Sequence, residues 1–300
     1  MSYRTLIQPA ELQALLAHPQ TRTLVFDASH DLSNPEAGRR AHRAARLPGS
    51  RHLNLDEDLS GAKTGRNGRH PLPDRAQFAA DMASLGVVQG TQVVTYDASG
   101  GIYASRLWWM LRWAGHEEVA VLDGGLAAWQ ALGLPLETGE TVSTANPLNA
   151  PTTTVSSAST TLADLAPTGM ATVDREMLLH NLTQPTRLVV DARSPDRFRG
   201  ENETLDPVGG RIPGAVNRFY RDNLGADGRL KPAAVLRAEF EALMGGRAPS
   251  DLVMQCGSGV TACHNLLALA HAGLDGAALY PGSWSEWSAW PDAPRATGPA

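Results

Sequence analysis

The sequence predicts an α/β protein built from two copies of one unit, each a small parallel sheet with helices on both faces. Two observations support this prediction: apolar runs end at turn signals, and these runs recur at a nearly constant spacing. One strand is predicted at residues 23–28 and another at 187–192, each after a helical pattern. Both strands end in Asp-Ala, at Asp27 and Asp191, which are 164 positions apart.

Three further pairs of landmarks follow in the same order in both halves. They are the Pro-Gly turns at 47–50 and 212–215, the buried strands at 93–97 and 252–256, and the glycine turns followed by a tryptophan at 122–129 and 280–287. Shared landmarks in one order indicate a duplication. We therefore predict one domain at 1–140, a linker rich in Thr, Ser, Ala and Pro at 141–170, and a second domain at 171–300.

Composition excludes several classes of protein. The 300 residues carry 26 Lys and Arg against 31 Asp and Glu, and the net charge of −5 argues against a nucleic-acid-binding surface. No apolar run reaches the ~18 residues that span a bilayer, and the N-terminus has no signal-peptide core. Only Cys256 and Cys263 are cysteines, so we expect no disulfides and a cytoplasmic protein. The scattered histidines indicate no metal site, and we expect no cofactor.

Cys256 stands between a predicted buried strand and a helix, with a glycine-bearing loop after it. Unpaired amides and the helix dipole at such a position lower a thiol pKa and can cradle an anion. A lone cysteine is more often a small buried hydrophobe, but Gly257 and Gly259 permit close approach to a ligand. Cys256 is therefore a candidate nucleophile. The matching residue in the first half is Asp97, so that copy is expected to be catalytically inactive.

Several short runs resemble the tandem-domain rhodanese sulfurtransferases. The active-site loop at 256–262 carries the resemblance, together with 191–193, 197–200, 210–215 and 282–287 in the second half and 103–110 and 124–129 in the first. The resemblance covers nearly the whole chain except the linker and the last ten residues. It implies two tandem rhodanese-like domains, of which the second is catalytic.

Within that family, the residues after the cysteine imply the sulfur donor. Thiosulfate-preferring members carry Arg-Lys there and mercaptopyruvate-preferring members carry Gly-Ser, and this chain has Gly257-Ser258. The resemblance thus implies that Cys256 takes sulfur from 3-mercaptopyruvate as a persulfide and releases pyruvate. The acceptor would be cyanide, a small thiol or thioredoxin. Ser258 would bond the substrate or relay a proton.

The resemblance also implies roles for the neighbouring residues. Loop amides would stabilise the thiolate and the persulfide, namely those at Gly257, Ser258, Gly259, Val260, Thr261 and Ala262. Arg197 matches an arginine that holds the donor carboxylate. Tyr103 matches a residue that faces the substrate, although core packing is an equal alternative. Arg193 is expected to be a structural ion-pair partner.

Two features depart from the family pattern. Mercaptopyruvate-type members have a proton-relaying histidine before the first Ile-Pro-Gly, where this chain has Arg46. A second substrate arginine has no counterpart in residues 201–210, so Arg46 or Arg211 is expected to supply the cation. His30 and His70 are interpreted as surface or turn histidines.

Other functions remain open or are excluded. A thiosulfate:cyanide sulfurtransferase and a persulfide carrier for a protein partner would use the same chemistry. A cysteine phosphatase or arsenate reductase needs an arginine after five intervening residues, where this chain has Ala262. Cys263 is predicted to be a core residue within the helix, which argues against a dithiol redox role.

Overall fold

The computed structural model describes residues 2–18, 20–139 and 169–299, which form two compact units. The first unit contains the chain up to Leu59 and again from Pro73. The second combines the segment Ser60–Leu72 with the chain from Gly169 onward. The linker predicted at 141–170 lies outside the described residues except for its last two. A piece of the first half of the sequence thus belongs to the second unit.

The first unit contains a five-stranded sheet with the strand order β1-β5-β4-β2-β3, in which every strand pair is parallel. Its elements are β1 (Leu6–Ile7), α1 (Pro9–Leu16), β2 (Thr23–Asp27), α2 (Glu36–Ala44), β3 (Arg51–His52), α3 (Arg75–Ser84), β4 (Gln92–Tyr96), α4 (Ile102–Ala114), β5 (Val119–Leu122) and α5 (Gly125–Ala131).

The second unit contains a four-stranded parallel sheet with the order β7-β6-β8-β9. Its elements are α6 (Arg175–Thr183), β6 (Leu188–Asp191), α7 (Pro195–Phe198), β7 (Val216–Asn217), α8 (Ala233–Met244), β8 (Leu252–Gln255), α9 (Thr261–His271), β9 (Ala278–Leu279) and α10 (Ser283–Trp287). Two 3-10 helices, Tyr220–Asn223 and Pro249–Asp251, lie between them.

The duplication predicted from the sequence is also present in the topology. The order β3-β2-β4-β5 in the first unit recurs as β7-β6-β8-β9 in the second. In the first unit, β1 pairs with β5 as a parallel strand. The corresponding pairing in the second unit is a single bridge between Thr172 and Leu279. The predicted fold class, two α/β repeats with parallel sheets, is confirmed.

The cores of the two units contain tryptophans at matching positions. Trp129 in α5 and Trp287 in α10 are both buried. Their indole N–H groups donate to the carbonyls of Pro135 and Pro294, each at 2.8 Å. A buried tryptophan needs such an acceptor for its one polar group. The two units therefore share both sheet order and side-chain packing.

None of the helices in the described part of the chain is both long enough and apolar enough to cross a membrane. Helix α4, for example, has 13 residues. It is followed by Gly115, whose φ of 107° lies in the left-handed region that favours glycine.

Candidate active site

Cys256 directly follows strand β8, and a short loop leads from it into helix α9. The strand is buried, and Cys256 itself is 2% exposed. Its amide donates to Ser283 Oγ at 3.1 Å, and its carbonyl accepts from the amide of Trp284 at 3.0 Å. The start of α10 therefore holds the backbone on both sides of the thiol. The predicted strand–loop–helix arrangement is confirmed.

The loop backbone is tightly folded. Gly259 has φ of 77°, and a Cβ there would lie 2.5 Å from the carbonyl oxygen of Pro281, so no other residue fits. Val260 is the residue before α9, Thr261 is its first residue, and Ala262 is fully buried. The loop residues predicted from the sequence therefore do lie together around the helix N-terminus.

The first unit shows what a loop of this shape does with an anion. The Asp97 carboxylate accepts four hydrogen bonds of 2.7–2.9 Å from the loop amides of Ser99, Gly101, Tyr103 and Ala104. The second unit has Ser258, Val260 and Ala262 at the positions that match Ser99, Gly101 and Tyr103, each 159 residues further along the chain. The fourth position differs, because the amide of Cys263 donates to the carbonyl of Val260. Burial raises the pKa of Asp97 above its ordinary value, although each of these hydrogen bonds lowers it. The loop backbone is thus a cradle of N–H donors for an acidic group.

Ser258, two residues after the cysteine, is hydrogen-bonded to His70. The distance between Ser258 Oγ and His70 Nδ1 is 2.7 Å, and both side chains are buried. His70 lies on the segment Ser60–Leu72, far from Ser258 in sequence but within the same unit. The interpretation of His70 as a surface or turn histidine is therefore wrong. A serine with a buried histidine behind it is a group that can move a proton.

Two other sequence expectations are corrected by the first unit. His30 is buried rather than on the surface, and its Nε2 lies 3.5 Å from the Asp56 carboxylate. Arg46, expected in place of the relay histidine, is buried, donates to the carbonyl of Gly139 at 2.6 Å and pairs with Glu137.

The segment Ser60–Leu72 is held against helix α10 by several contacts. The Arg69 amide donates to Ser285 Oγ at 3.0 Å. The Arg66 guanidinium lies over the Trp290 ring, 4.8 Å from its centroid. Gly68 has φ of 87°, and a Cβ there would lie 2.7 Å from the carbonyl oxygen of Gly282. These contacts position the segment that carries His70.

Arg197, predicted to bind the donor, lies near the loop with two acidic neighbours. It donates to the Glu203 carboxylate at 2.8–3.2 Å and reaches Asp206 at 3.4 Å. Burial alone would raise the pKa of Glu203, but hydrogen bonds from Arg197 and the backbone bring it below its ordinary value. For Asp206, burial raises the pKa in spite of the opposing charges of Arg69 and Arg197.

A second guanidinium at the loop belongs to Arg69, which the sequence analysis did not single out. Arg69 forms an ion pair with Asp206. A Cβ built on Gly257 would lie 2.9 Å from Arg69 Nη2 and 3.6 Å from Arg197 Nη2. Nothing local marks this arginine in the sequence, because its partner lies 137 residues away.

Arg211 is one of the two arginines expected to replace the second substrate arginine, and it contacts the C-terminal residues. Its guanidinium donates to the carbonyls of Gly298 and Pro299 at 2.6 and 3.1 Å and lies over the Phe198 ring. The hydrogen bonds of Arg211 therefore go to the C-terminal stretch of the chain. Those of Arg46 go to residues of the first unit.

Two structural roles predicted from the sequence are confirmed. Arg193 is almost fully buried and pairs with Asp191 at 2.7 Å. Cys263 is buried in α9, and its thiol donates to the carbonyl of Gly259 at 3.3 Å. Tyr103, in contrast, lies in α4 of the first unit with its ring edge-on to His30, at 5.4 Å between centroids. Its role in substrate binding stays a prediction.

No group of three side chains suited to holding a metal ion occurs among residues 2–18, 20–139 and 169–299.

The repeated parallel units define an α/β protein of two similar domains, the second of which carries the cysteine loop. A family model described as "Rhodanese-like domain" matches the chain twice, at residues 8–132 and 174–289. The chain belongs to the rhodanese-like family.

Individual relatives support this assignment over most or nearly all of the chain. A Pseudomonas aeruginosa protein called "Probable 3-mercaptopyruvate sulfurtransferase" is 42% identical over 99% of this chain and 100% of its own length. The thiosulfate sulfurtransferase of Mus musculus is 34% identical over 88% of this chain and 84% of its own. The crystal structure of SseA from Escherichia coli, a 3-mercaptopyruvate sulfotransferase, matches with a TM-score of 0.72 and 29% identity, covering 94% of this chain and 99% of that one.

Proposed function

We propose that this protein is a 3-mercaptopyruvate sulfurtransferase that carries the sulfur as a persulfide on Cys256. The observation that carries the proposal is the loop itself: the thiol follows β8, and two residues later Ser258 Oγ lies 2.7 Å from His70 Nδ1. The Gly257-Ser258 pair and the relatives that bear this activity in their names favour the same donor.

In the first half-reaction the Cys256 thiolate attacks the sulfur of 3-mercaptopyruvate. A sulfur–sulfur bond forms, the carbon–sulfur bond breaks, and its electron pair passes to carbon as the enolate of pyruvate. The proton lost by the donor thiol is gained by that carbon, so pyruvate leaves and the persulfide remains as an anion. Ser258, backed by His70, moves this proton. The loop amides hold the negative charge throughout.

In the second half-reaction an acceptor removes the outer sulfur and restores the thiolate. Cyanide, a small thiol or thioredoxin would serve, and ping-pong kinetics follow from the covalent intermediate. We also propose a cytoplasmic location, because a persulfide carrier requires reduced thiols and both Cys256 and Cys263 are free.

The first repeat is proposed to be catalytically inactive, because the carboxylate of Asp97 stands where the nucleophile would be. The proposed organisation is a first domain at 1–140, a linker at 141–170 and a catalytic domain at 171–300, to which the segment Ser60–Leu72 contributes His70. Tyr103 is proposed to contact the donor from the first domain.

A second candidate donor is thiosulfate, and the presence of two guanidinium groups at Gly257 favours it. Two cations suit a dianion. However, Arg197 and Arg69 each have an acidic partner, Glu203 and Asp206, which leaves less positive charge for the ligand. The monoanionic mercaptopyruvate therefore fits the charge better. A persulfide carrier that serves one protein partner would use the same loop.

The decisive experiment replaces Cys256 by Ser and measures pyruvate and sulfide release from 3-mercaptopyruvate and thiocyanate formation from thiosulfate. We expect the variant to lose turnover by at least about a thousandfold with either donor, because a hydroxyl is a far weaker nucleophile than a thiolate. Cys263→Ser is the matched control and should keep its activity. The wild type should gain the mass of one sulfur atom on Cys256. Retained turnover in C256S would refute the proposal.

A further inference from the structure

Ser283, the first residue of α10, has a backbone conformation that serine rarely adopts. Its φ is 53°, in the left-handed region, and the residue is fully buried. One other non-glycine residue in the described part of the chain has a positive φ, Asn202, and asparagine adopts this region more readily. The matching residue in the first repeat is Gly125, with φ of 56°. The second repeat therefore keeps a backbone strain at this position that glycine would remove.

The Ser283 hydroxyl is bonded to the backbone of the nucleophile. Its Oγ accepts a hydrogen bond from the Cys256 amide at 3.1 Å and donates one to the carbonyl of Tyr280 at 2.9 Å. A hydroxyl can accept and donate at the same time, and glycine can do neither. The strained serine thus gives the Cys256 peptide a fixed partner that the matching glycine of the first repeat could not give.

The next two residues of α10 bind the carbonyls of the cysteine loop. The amide of Trp284 donates to the Cys256 carbonyl at 3.0 Å, and the amide of Ser285 donates to the Gly257 carbonyl at 2.9 Å. The peptide bonds are trans, so the C=O and N–H groups of each peptide point in opposite directions. Because both carbonyls face α10, the amides of Gly257 and Ser258 face away from it.

The first repeat shows where such an amide points. Ser99 matches Ser258, and its amide donates to the Asp97 carboxylate at 2.7 Å. Asp97 matches Cys256, so the same direction in the second repeat leads to the side chain of the nucleophile. The contacts of α10 therefore set how the loop amides are aimed.

We infer that Ser283 is a positioning residue for sulfur transfer. Its hydroxyl fixes the peptide of Cys256, and this keeps the thiol and the loop amides aimed at each other. The role rests on the proposed function, in which those amides hold the negative charge of the thiolate and the persulfide. Ser283 itself touches neither the donor nor the sulfur in this role.

The test compares two substitutions that remove the hydroxyl but differ in strain. Ser283→Gly relieves the left-handed φ and Ser283→Ala keeps it, so S283A should unfold at a lower urea concentration than S283G. Both should lower kcat for 3-mercaptopyruvate about tenfold and leave KM within about twofold, because the lost bond orients the reacting sulfur and does not contact the donor. A purely structural residue would instead leave S283G, the less strained variant, with wild-type turnover per folded molecule.

Ser288→Ala is the matched control. Ser288 is a buried serine directly after α10, and its Oγ has no hydrogen-bond partner among the described residues. Its kcat should equal that of the wild type. Two results would overturn the inference: a kcat of S283G above half of the wild-type value, or a raised KM with an unchanged kcat, which would place the effect on donor binding.

Alkylation of Cys256 by iodoacetamide supplies the second readout and needs no sulfur donor. Its rate, followed by mass spectrometry of the peptide that contains Cys256, should fall about tenfold in S283G and S283A, because misdirected amides stabilise the sulfur anion less. If the wild-type protein does not turn over 3-mercaptopyruvate, the proposed function fails. The alkylation rate then still decides whether Ser283 positions the thiol, and an unchanged rate in both variants would refute that role.

Discussion

The loops after β4 and β8 occupy matching places in two repeats, yet they treat negative charge differently. In the first repeat the side chain of Asp97 turns into the loop and uses four amides for itself. In the second repeat the shorter side chain of Cys256 stands at that position, and two guanidinium groups lie close by. The backbone N–H groups of the loop form the cradle in both repeats. The side chain at its first position decides whether these N–H groups are bound by the protein itself, as by Asp97, or are left for a ligand.

The surroundings of the two loops differ as well. Ser258 has a buried histidine partner, His70, whereas the matching residue in the first repeat, Ser99, is exposed. Each repeat also keeps an aspartate at the end of its neighbouring strand, but Asp27 is paired with His42 and Asp191 with Arg193. Each of these three differences between the repeats can be tested by mutation.

The largest effect is expected where the repeats differ in chemistry. Ser258→Ala should lower kcat with 3-mercaptopyruvate about a hundredfold, because proton transfer by a positioned group is worth that much. His70→Asn should act on the same step, so the double variant should be little worse than either single one. Steady-state rates of pyruvate formation measure both.

Ser99→Ala is the control at the matching position of the first repeat, and its kcat should equal that of the wild type. If S258A kept more than half of the wild-type turnover, or if the effects of S258A and H70N simply added, the two side chains would not work as one relay.

An intermediate effect is expected at Asp97, whose carboxylate binds the amides of its own loop. Asp97→Ala removes the acceptor of four loop amides, of which those of Tyr103 and Ala104 are buried, and should lower the free energy of unfolding by about 2–4 kcal/mol. Urea titration measures this. A change in turnover per folded molecule would report the proposed contact of Tyr103 with the donor, because Asp97 holds the Tyr103 amide.

Asp31→Ala provides the comparison, because the Asp31 carboxylate is exposed and accepts from the amide and hydroxyl of Ser33. This substitution should lower the free energy of unfolding by less than about 1 kcal/mol. Where D97A does not accumulate, Asp97→Asn keeps one acceptor oxygen and should fall between the two. A loss in D97A no larger than that in D31A would show that the amides do not depend on the carboxylate.

The smallest effect concerns the strand-end aspartates. Burial alone would raise the pKa of Asp27, but the hydrogen bonds from His42 and Ser29 bring it below its ordinary value. A carboxyl whose pKa is lower in the folded state stabilises the protein above its unfolded pKa, and this stabilisation is lost as pH falls through the folded pKa. Wild-type stability should therefore decline below about pH 4.

Asp27→Asn should remove this part of the decline, on the order of 1 kcal/mol for a charge-assisted bond, and His42→Gln should shrink it. Urea titrations between pH 3 and 7 show both changes. Parallel stability curves for wild type and D27N would contradict the assignment of this slope to Asp27.

The duplication and the cysteine loop were predictable from the sequence because both are local patterns repeated at a fixed distance. A buried apolar run before Cys256, a glycine at each required turn and a helical period after it are readable without tertiary contacts. The same holds for the ion pair of Arg193, since Asp191 is two residues away.

His70 and Arg69 could not be found in this way. The segment Ser60–Leu72 has no apolar period, and its partners Ser258 and Ser285 lie 188 and 216 residues further along the chain. Histidines and arginines in such a stretch are ordinarily solvated, so composition pointed to a surface loop. Only tertiary packing brings these side chains to Gly257 and Ser258 of the cysteine loop, and no local pattern encodes that pairing.

The membership of Ser60–Leu72 in the second unit has a consequence for dividing the chain into fragments. These thirteen residues belong to the first half of the sequence, and they carry His70, which lies 2.7 Å from Ser258. A fragment that begins at the second repeat would therefore lack the hydrogen-bond partner of Ser258.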